Sequence, residues 1–384
     1  MAKILIFSCN PQIFGSRYGG AERSTKLFES FIDRGDQVTV IAPSWNGRYG
    51  ITRMAPNIRF MVLATDTLRL QAEIDHQRSL VKEHREVAAW ELTDNLTDMK
   101  KRINRMKDEF DLVVLDYLGP IGVIEGIEFN VPIVYISHNC EAALAETLHG
   151  KTSHLTKSIK QMEQRLLERS DLFVYCGEGD LEEIDRRYKK HSPGYQIPNG
   201  TDLRDGIRAG ANRNSKEILF VGSGHPPNVV AAMNLIPVAK AMPDYTFNLV
   251  GDASRYLDDV DTPENIKILG RISDGNLDKL FRNSFAFINP METGSGTHLK
   301  LMRALSYGMP IISSTVGARG FSDAEIKDTI LIADDTASMV DAIHKLEEGL
   351  YYKQVSENTL SVVQTYSWKK IQNDFKNLAL SLIK

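Results

Sequence analysis

FAFINPMETGSGTHLKLMRALSYGMPIISST, residues 285–315, contains one complete crossover. The apolar run 285–290 reads as a strand, Thr293 to Thr297 form a loop of small residues, 298–307 reads as a helix ended by Gly308 and Pro310, and 310–315 reads as the next strand. Two near-continuous apolar strands joined by a helix are the repeating unit of a parallel sheet.

The same rhythm runs through the chain. Strands are expected at 3–8, 38–42, 58–64, 111–117, 132–138 and 172–177, and again at 217–224, 247–252, 266–270, 285–290, 310–315 and 329–334. Between the two groups, SPGYQIPNGTD, residues 192–202, interrupts any regular pattern with prolines, glycines and an Asn-Gly pair, and reads as a linker. Two doubly wound α/β domains follow, one over 1–195 with the terminal helix 366–384, the other over 196–365. In such sheets ligands bind outside the carboxyl ends of the strands, so the chemistry is expected in the loops that follow them.

One long segment, 67–110, is expected to be helical, because Leu92, Leu96, Met99, Ile103, Met106 and Phe110 recur at three- and four-residue steps. It reads as a helix packed on the sheet. The final stretch places Trp368, Ile371, Phe375, Leu378 and Leu382 on one face and needs a surface to dock on.

Composition excludes several classes. With 42% apolar and 25% charged residues, the 384-residue chain has the make-up of an ordinary globular protein. A formal net charge of -4 argues against a general nucleic-acid binder. Cys9, Cys140 and Cys176 sit in or beside apolar runs and read as reduced core thiols. The N-terminus is too short an apolar run for a signal peptide, and no stretch reaches the roughly 20 apolar residues of a membrane span. A cytoplasmic protein is expected. The basic residues in 151–170 read as a solvated helix, with an anionic membrane surface as the alternative.

Four stretches could carry chemistry. Gly19-Gly20 opens a helix after the first strand, where backbone amides could approach an anion, although no G-x-G-x-x-G fingerprint occurs. FVGSGHPPN, 220–228, starts like that fingerprint but places prolines where its third glycine belongs, which argues against a nicotinamide cofactor. Within it, His225 either hydrogen-bonds an anion or caps and packs. His138, just past a strand, is either structural or a partner for a substrate hydroxyl. The strongest is the loop 294–297, whose small residues and helix-start amides suit a diphosphate, with Lys300 in the first turn adding a full positive charge. Asp259-x-Asp261 reads as a solvated turn, no His/Cys cluster has zinc spacing, and no Ser-His-Asp set has a nucleophile elbow, so no metal is expected.

The order of these motifs, YGGAERSTKLFESFIDRGDQVTVIAP (18–43), SHNCEA (137–142), IPNGTD (197–202), ILFVGSGHPPN (218–228), ILGRISD (268–274), GSGTHLKLMRALSYGMPIISSTVGARGF (294–321) and a closing YSW helix, resembles the retaining glycosyltransferases of family 4. The resemblance covers nearly the whole chain. It implies the GT-B architecture, two Rossmann-like domains facing across a cleft with the C-terminal helix crossing back to the first. It also implies a hexosyltransferase that uses a nucleotide sugar, acting on a saccharide, lipid-linked or protein acceptor in surface polysaccharide or glycoconjugate assembly, at the inner face of a membrane. No cofactor and no metal are implied.

By the same resemblance, Gly294, Ser295, Gly296, Thr297 and Lys300 hold the diphosphate, and Gly19 and Gly20 approach the phosphates from the opposite wall. Arg271 lines the nucleotide pocket with Ser223 and His225 nearby, and His138, Ser295 and Lys300 serve the reaction, His138 touching the donor sugar. Many members carry two glutamates separated by seven residues. Here Ser295 and Arg303 stand at those positions. A carboxylate accepts from both ribose hydroxyls, whereas a guanidinium only donates. The Arg and Lys that many members place after the first strand of the second domain are also absent, with Ser223 and Asn228 nearby. These departures motivate the alternative, a catalytically silent GT-B subunit that binds an acceptor or a partner protein.

Overall fold

A computed structural model describes residues 1–8, 19–32, 34–44, 50–55, 57–64, 97–293 and 299–383. The chain divides into two compact units, Met1–Ile197 with Ile371–Lys384, and Pro198–Lys370.

The first unit is built on eight strands: β1 (Lys3–Ser8), β2 (Gln37–Ser44), β3 (Gly50–Ala55), β4 (Ile58–Ala64), β5 (Leu112–Asp116), β6 (Ile133–Ile136), β7 (Leu172–Tyr175) and β8 (Gly194–Gln196). They lie in the order β3-β4-β2-β1-β5-β6-β7-β8. All neighbours are parallel except β3, which runs antiparallel to β4. Among the described residues, six helices accompany them: α1 (Gly19–Ile32), α2 (Thr97–Met106), α3 (Pro120–Ile124), α4 (Glu141–His149), α5 (His154–Arg169) and α6 (Glu178–Arg187).

The second unit holds β9 (Glu217–Val221), β10 (Thr246–Val250), β11 (Ile266–Gly270), β12 (Ala286–Asn289), β13 (Ile311–Ser313) and β14 (Ile330–Ile332), in the order β11-β10-β9-β12-β13-β14, all parallel. Its helices are α7 (Pro226–Ala241), α8 (Asp274–Asn283), α9 (Leu299–Ser306), α10 (Asp323–Thr329), α11 (Thr336–Leu346) and α12 (Gly349–Val362). The last helix, α13 (Trp368–Leu380), begins in this unit and ends in the first.

All twelve expected strands form, and the inner ones, such as β5 and β12, are buried throughout, as strands covered on both faces must be, whereas the edge strands β11 and β14 are only partly buried. In each unit the order reverses beside the first strand, between β1 and β5 and between β9 and β12, which are the switch points where open parallel sheets leave a crevice.

Several expectations need correction. The stretch 192–202 is not free linker throughout, since Gly194–Gln196 extends the first sheet as β8. Glycine is required there, because a Cβ at 194 would lie 2.5 Å from the Phe173 ring. The expected helix 67–110 is described only from Thr97, and Leu92 and Leu96 lie outside the described residues. Ile103 and Phe110 are buried, but a short 3-10 turn, Lys107–Glu109, separates Phe110 from the helix. In α13 the buried face is Trp368, Ile371, Phe375 and Ala379, while Leu378 and Leu382 are half-buried. Phe375 meets Phe31 of α1 edge to face at 5.6 Å, and Gln372 Nε2 donates to the Lys26 carbonyl at 2.7 Å. Among the described residues, no helix is long and apolar enough to cross a membrane.

Candidate functional site

In the second unit the candidate residues gather at the carboxyl ends of β9 and β12. β9 ends at Val221, and the chain turns through Gly222 and Ser223 to His225, the N-cap of α7, whose side chain makes no capping bond. Asn228, in the first turn of α7, donates through Nδ2 to Ser223 Oγ at 3.1 Å. Its Oδ1 accepts from Lys300 Nζ at 2.9 Å. The same ammonium contacts Met291 Sδ at 3.5 Å and lies 5.3 Å from the centre of the Phe220 ring. No carboxylate pairs with it among the described residues. Burial among these neutral groups pushes the Lys300 pKa down to about 7, so the full charge expected from the sequence is only partly present at neutral pH.

A buried polar frame fixes this edge. Asn289, at the end of β12, donates through Nδ2 to Ser313 Oγ at 3.3 Å and to the Gly317 carbonyl at 3.2 Å, and Ser314 Oγ donates to the Met291 carbonyl. A Cβ on Gly317 would sit 2.5 Å from Asn289 Nδ2, so the loop after β13 closes onto β12 only through glycine. The loop between β12 and α9 contains Gly294, Ser295, Gly296 and Thr297, and these lie outside the described residues.

The two arginines are differently placed. Arg271 is largely exposed and forms a two-pronged ion pair with Asp252, with Nε to Oδ1 at 2.7 Å, so much of its charge is already matched. Arg303 packs its guanidinium over Phe281, 5.2 Å from the ring centre, with Nε buried and without an acceptor. Phe281 stacks in turn on Tyr307 at 5.0 Å. Aromatic packing therefore accounts for Arg303 in this structure, an arrangement that its helical position alone did not reveal.

In the first unit His138 joins a hydrogen-bonded set at the switch point between β1 and β5. Its Nε2 lies 2.8 Å from Asp116 Oδ1. Ser24 Oγ, from α1, donates to the same oxygen at 2.8 Å and lies 3.3 Å from Nε2, while Ser8 Oγ donates to Asp116 Oδ2 at 3.1 Å. Gly19 and Gly20 begin the helix that carries Ser24. Tyr117, next to Asp116, has a φ of 69°, the left-handed region that a bulky residue adopts only where its surroundings enforce it. Its ring stands at 88° to the His138 imidazole, with centres 5.8 Å apart, and its hydroxyl donates to Glu141 Oε2 at 3.3 Å.

Behind this set the SHNCEA turn is pinned by a carboxylate from another helix. Glu163 of α5 accepts from the Glu141 and Ala142 amides at 2.7 and 3.1 Å and from the Tyr188 hydroxyl at 2.6 Å. It thereby caps α4, whose own N-cap residue, Cys140, offers no side-chain bond. Burial raises Glu163 to about 7 against the pull of these donors. Asp116, Ser24, Tyr117 and Glu163 were missed from the sequence. The signal for Asp116 was present, a carboxylate at the carboxyl end of the apolar run DLVVLDY. The described residues contain no group of three His, Cys, Asp or Glu side chains able to hold a metal ion, and Asp259 and Asp261 are exposed.

Comparison with known proteins places this arrangement. Residues 18–205 match the family model of Glycosyltransferase Family 4, and residues 215–348 that of Glycosyl transferases group 1. The chain belongs to these glycosyltransferases, and its two parallel-sheet α/β units have the GT-B architecture. Sucrose-phosphate synthase from Thermosynechococcus elongatus aligns over 100% of this chain and 99% of its own, with a TM-score of 0.78 and 15% identity. Anabaena HepE in complex with UDP-glucose aligns over 100% of both chains, with a TM-score of 0.69 and 14% identity. An uncharacterized 44.6 kDa protein in the cps region of Klebsiella pneumoniae is 24% identical over 168 residues, 40% of this chain. The match spans 43% of that relative's length.

Proposed function

We propose that this chain transfers a hexosyl group from a nucleoside-diphosphate sugar to an acceptor hydroxyl, with retention of configuration and without a metal ion. The observation that carries the reading is Lys300, a desolvated ammonium held by neutral acceptors at the switch point of the second sheet. A partly buried cation without a counter-charge is costly, and a diphosphate lying against the start of α9 supplies one. The backbone amides of Gly294 to Thr297 add donors for the same oxygens, Arg271 lines the nucleotide pocket as the family resemblance implies, with Ser295, Ser223 and His225 nearby, and Arg303, standing where many members carry a glutamate, adds a cation to balance the diphosphate. Gly19 and Gly20 offer further amides to the phosphates, and His138 takes a hydroxyl of the sugar.

Retention follows if the acceptor attacks from the face that the diphosphate leaves, with a departing phosphate oxygen accepting the acceptor's proton. The protein then supplies mainly position and charge. The structural neighbour solved with UDP-glucose supports a nucleotide-sugar donor. Assembly of a surface polysaccharide or glycoconjugate, on a saccharide, lipid-linked or protein acceptor, by a cytoplasmic enzyme at the inner face of a membrane, is the setting that the family resemblance suggests.

The test is a panel of UDP-, GDP-, TDP- and CMP-sugars, followed for binding and for donor turnover. Binding with turnover is expected for one nucleotide class. Absence of binding at millimolar concentration across the panel refutes the reading. A second reading, a silent subunit that binds an acceptor or a partner protein, is favoured by Ser223 and Asn228, neutral side chains beside a single partly charged lysine. Binding without turnover, for any acceptor tried, selects it.

A further inference from the structure

We infer that Asp116 is a positioning residue that holds His138 as its Nε2–H tautomer and thereby presents Nδ1 as an acceptor for a sugar hydroxyl, an assignment that rests on the donor reading above. Asp116 is 3% exposed and receives hydroxyl donors on both oxygens, Ser24 on Oδ1 and Ser8 on Oδ2. A carboxylate filled by donors in this way is an acceptor only, so the imidazole nitrogen 2.8 Å from Oδ1 must bring the hydrogen. Ser24 Oγ, at 3.3 Å from the same nitrogen, has given its own hydrogen to Asp116 and offers the N–H a second acceptor. Both contacts favour hydrogen on Nε2 and leave the lone pair on Nδ1.

The ring is held so that this lone pair has a defined direction. The His138 carbonyl accepts from Cys176 Sγ at 3.2 Å, which ties the backbone to the end of β7. The Tyr117 ring, fixed by its left-handed backbone and its bond to Glu141, stands edge-on to the imidazole. Among the described residues nothing hydrogen-bonds to Nδ1, and the side chain keeps 12% of its surface exposed. An unmatched lone pair at the carboxyl end of β6, beside the switch point of the sheet, is matched by a ligand O–H.

The measurement is nitrogen NMR of the full chain labelled at histidine, with the His138 signals assigned through His138→Gln. Wild-type His138 is expected to carry its hydrogen on Nε2. Asp116→Asn, whose amide can donate towards Nε2, is expected to shift the population towards Nδ1–H. With a donor identified, Asp116→Asn is expected to lower kcat about tenfold or more while donor affinity changes less than about threefold. A wild-type Nδ1–H tautomer overturns the inference, and that reading decides it even if the variant does not fold. An unchanged tautomer in a folded Asp116→Asn protein also overturns it. Failure of the wild type to bind any nucleotide sugar refutes the donor reading instead, while the tautomer measurements still judge the role of Asp116.

Discussion

Raising the pH through neutrality is expected to weaken donor binding, because the cation assigned to the diphosphate loses its proton there. Lys300 titrates at about 7 in the unliganded protein, with burial as the cause and only Asn228 Oδ1, Met291 Sδ and the Phe220 ring around it. A nucleotide sugar keeps its diphosphate charge across the neutral range, so the titrating partner is the lysine. Above its folded pKa the lysine must take up a proton to bind, and affinity falls about tenfold for each further pH unit. Between about pH 6 and about pH 8 the expected loss is about tenfold. Calorimetry in two buffers of different ionisation heat should show proton uptake that approaches one per donor at the upper end.

The same pKa sets a stability effect of opposite benefit. In the unfolded chain the lysine holds its proton up to 10.5, whereas in the fold it releases it at about 7. Between those values the unfolded state binds more protons, so stability rises with pH, and below about 7 the whole penalty is present. At about 1.4 kcal/mol per unit the penalty is at most about 5 kcal/mol. Lys300→Met should therefore raise the melting temperature of the second unit at pH 6 while weakening donor binding by about 1 to 3 kcal/mol and flattening its pH dependence. Donor affinity that stays level over this range, with no proton uptake, refutes both the assigned diphosphate position and the account of Lys300.

Other perturbations test neighbouring parts of the structure. Glu163 is raised from 4.5 to about 7, so the folded state binds more protons between those values and the stability of the first unit should fall as pH rises across them; Glu163→Gln should flatten that slope, read from hydrogen exchange in α4. Gly251 has a φ of 95°, and a Cβ there would lie 2.2 Å from the Gly222 carbonyl oxygen, so Gly251→Ala should destabilise the second unit by about 2 kcal/mol or more in thermal unfolding. Arg303→Met exchanges a cation-aromatic contact for release of a buried Nε that lacks an acceptor, and should change stability by less than about 1 kcal/mol. A larger loss would mean that the guanidinium, rather than its apolar stem, holds the Phe281 and Tyr307 stack together.

The parallel strands were legible because burial on both faces requires near-continuous apolar runs such as DLVVLDY and EILFV. β3, GITRMA, escaped because an antiparallel edge strand needs no such run. β8 escaped because it has three residues, and its glycine is explained only by the Phe173 ring beneath it. The site shows the same division. Lys300 and His138 stood out by position, but their partners did not, since Asn228 is 72 residues from Lys300, and Ser24 is 114 residues from His138. No spacing rule joins such pairs. Without the neutral surroundings of Lys300 its charge looked complete, and the packing of Arg303 over Phe281, 22 residues earlier in the chain, could not be read from helical position.

The path of α13 has a consequence for how the protein is made. Its second half, with Ile371, Phe375 and Ala379 buried, belongs to the first unit, where Phe375 meets Phe31 and Gln372 meets Lys26. Residues 371–380 leave the ribosome only after the whole of Pro198–Lys370. The half of the protein translated first is therefore the last to be completed, and during synthesis the face of α1 around Phe31 waits uncovered for a segment almost a whole chain length away.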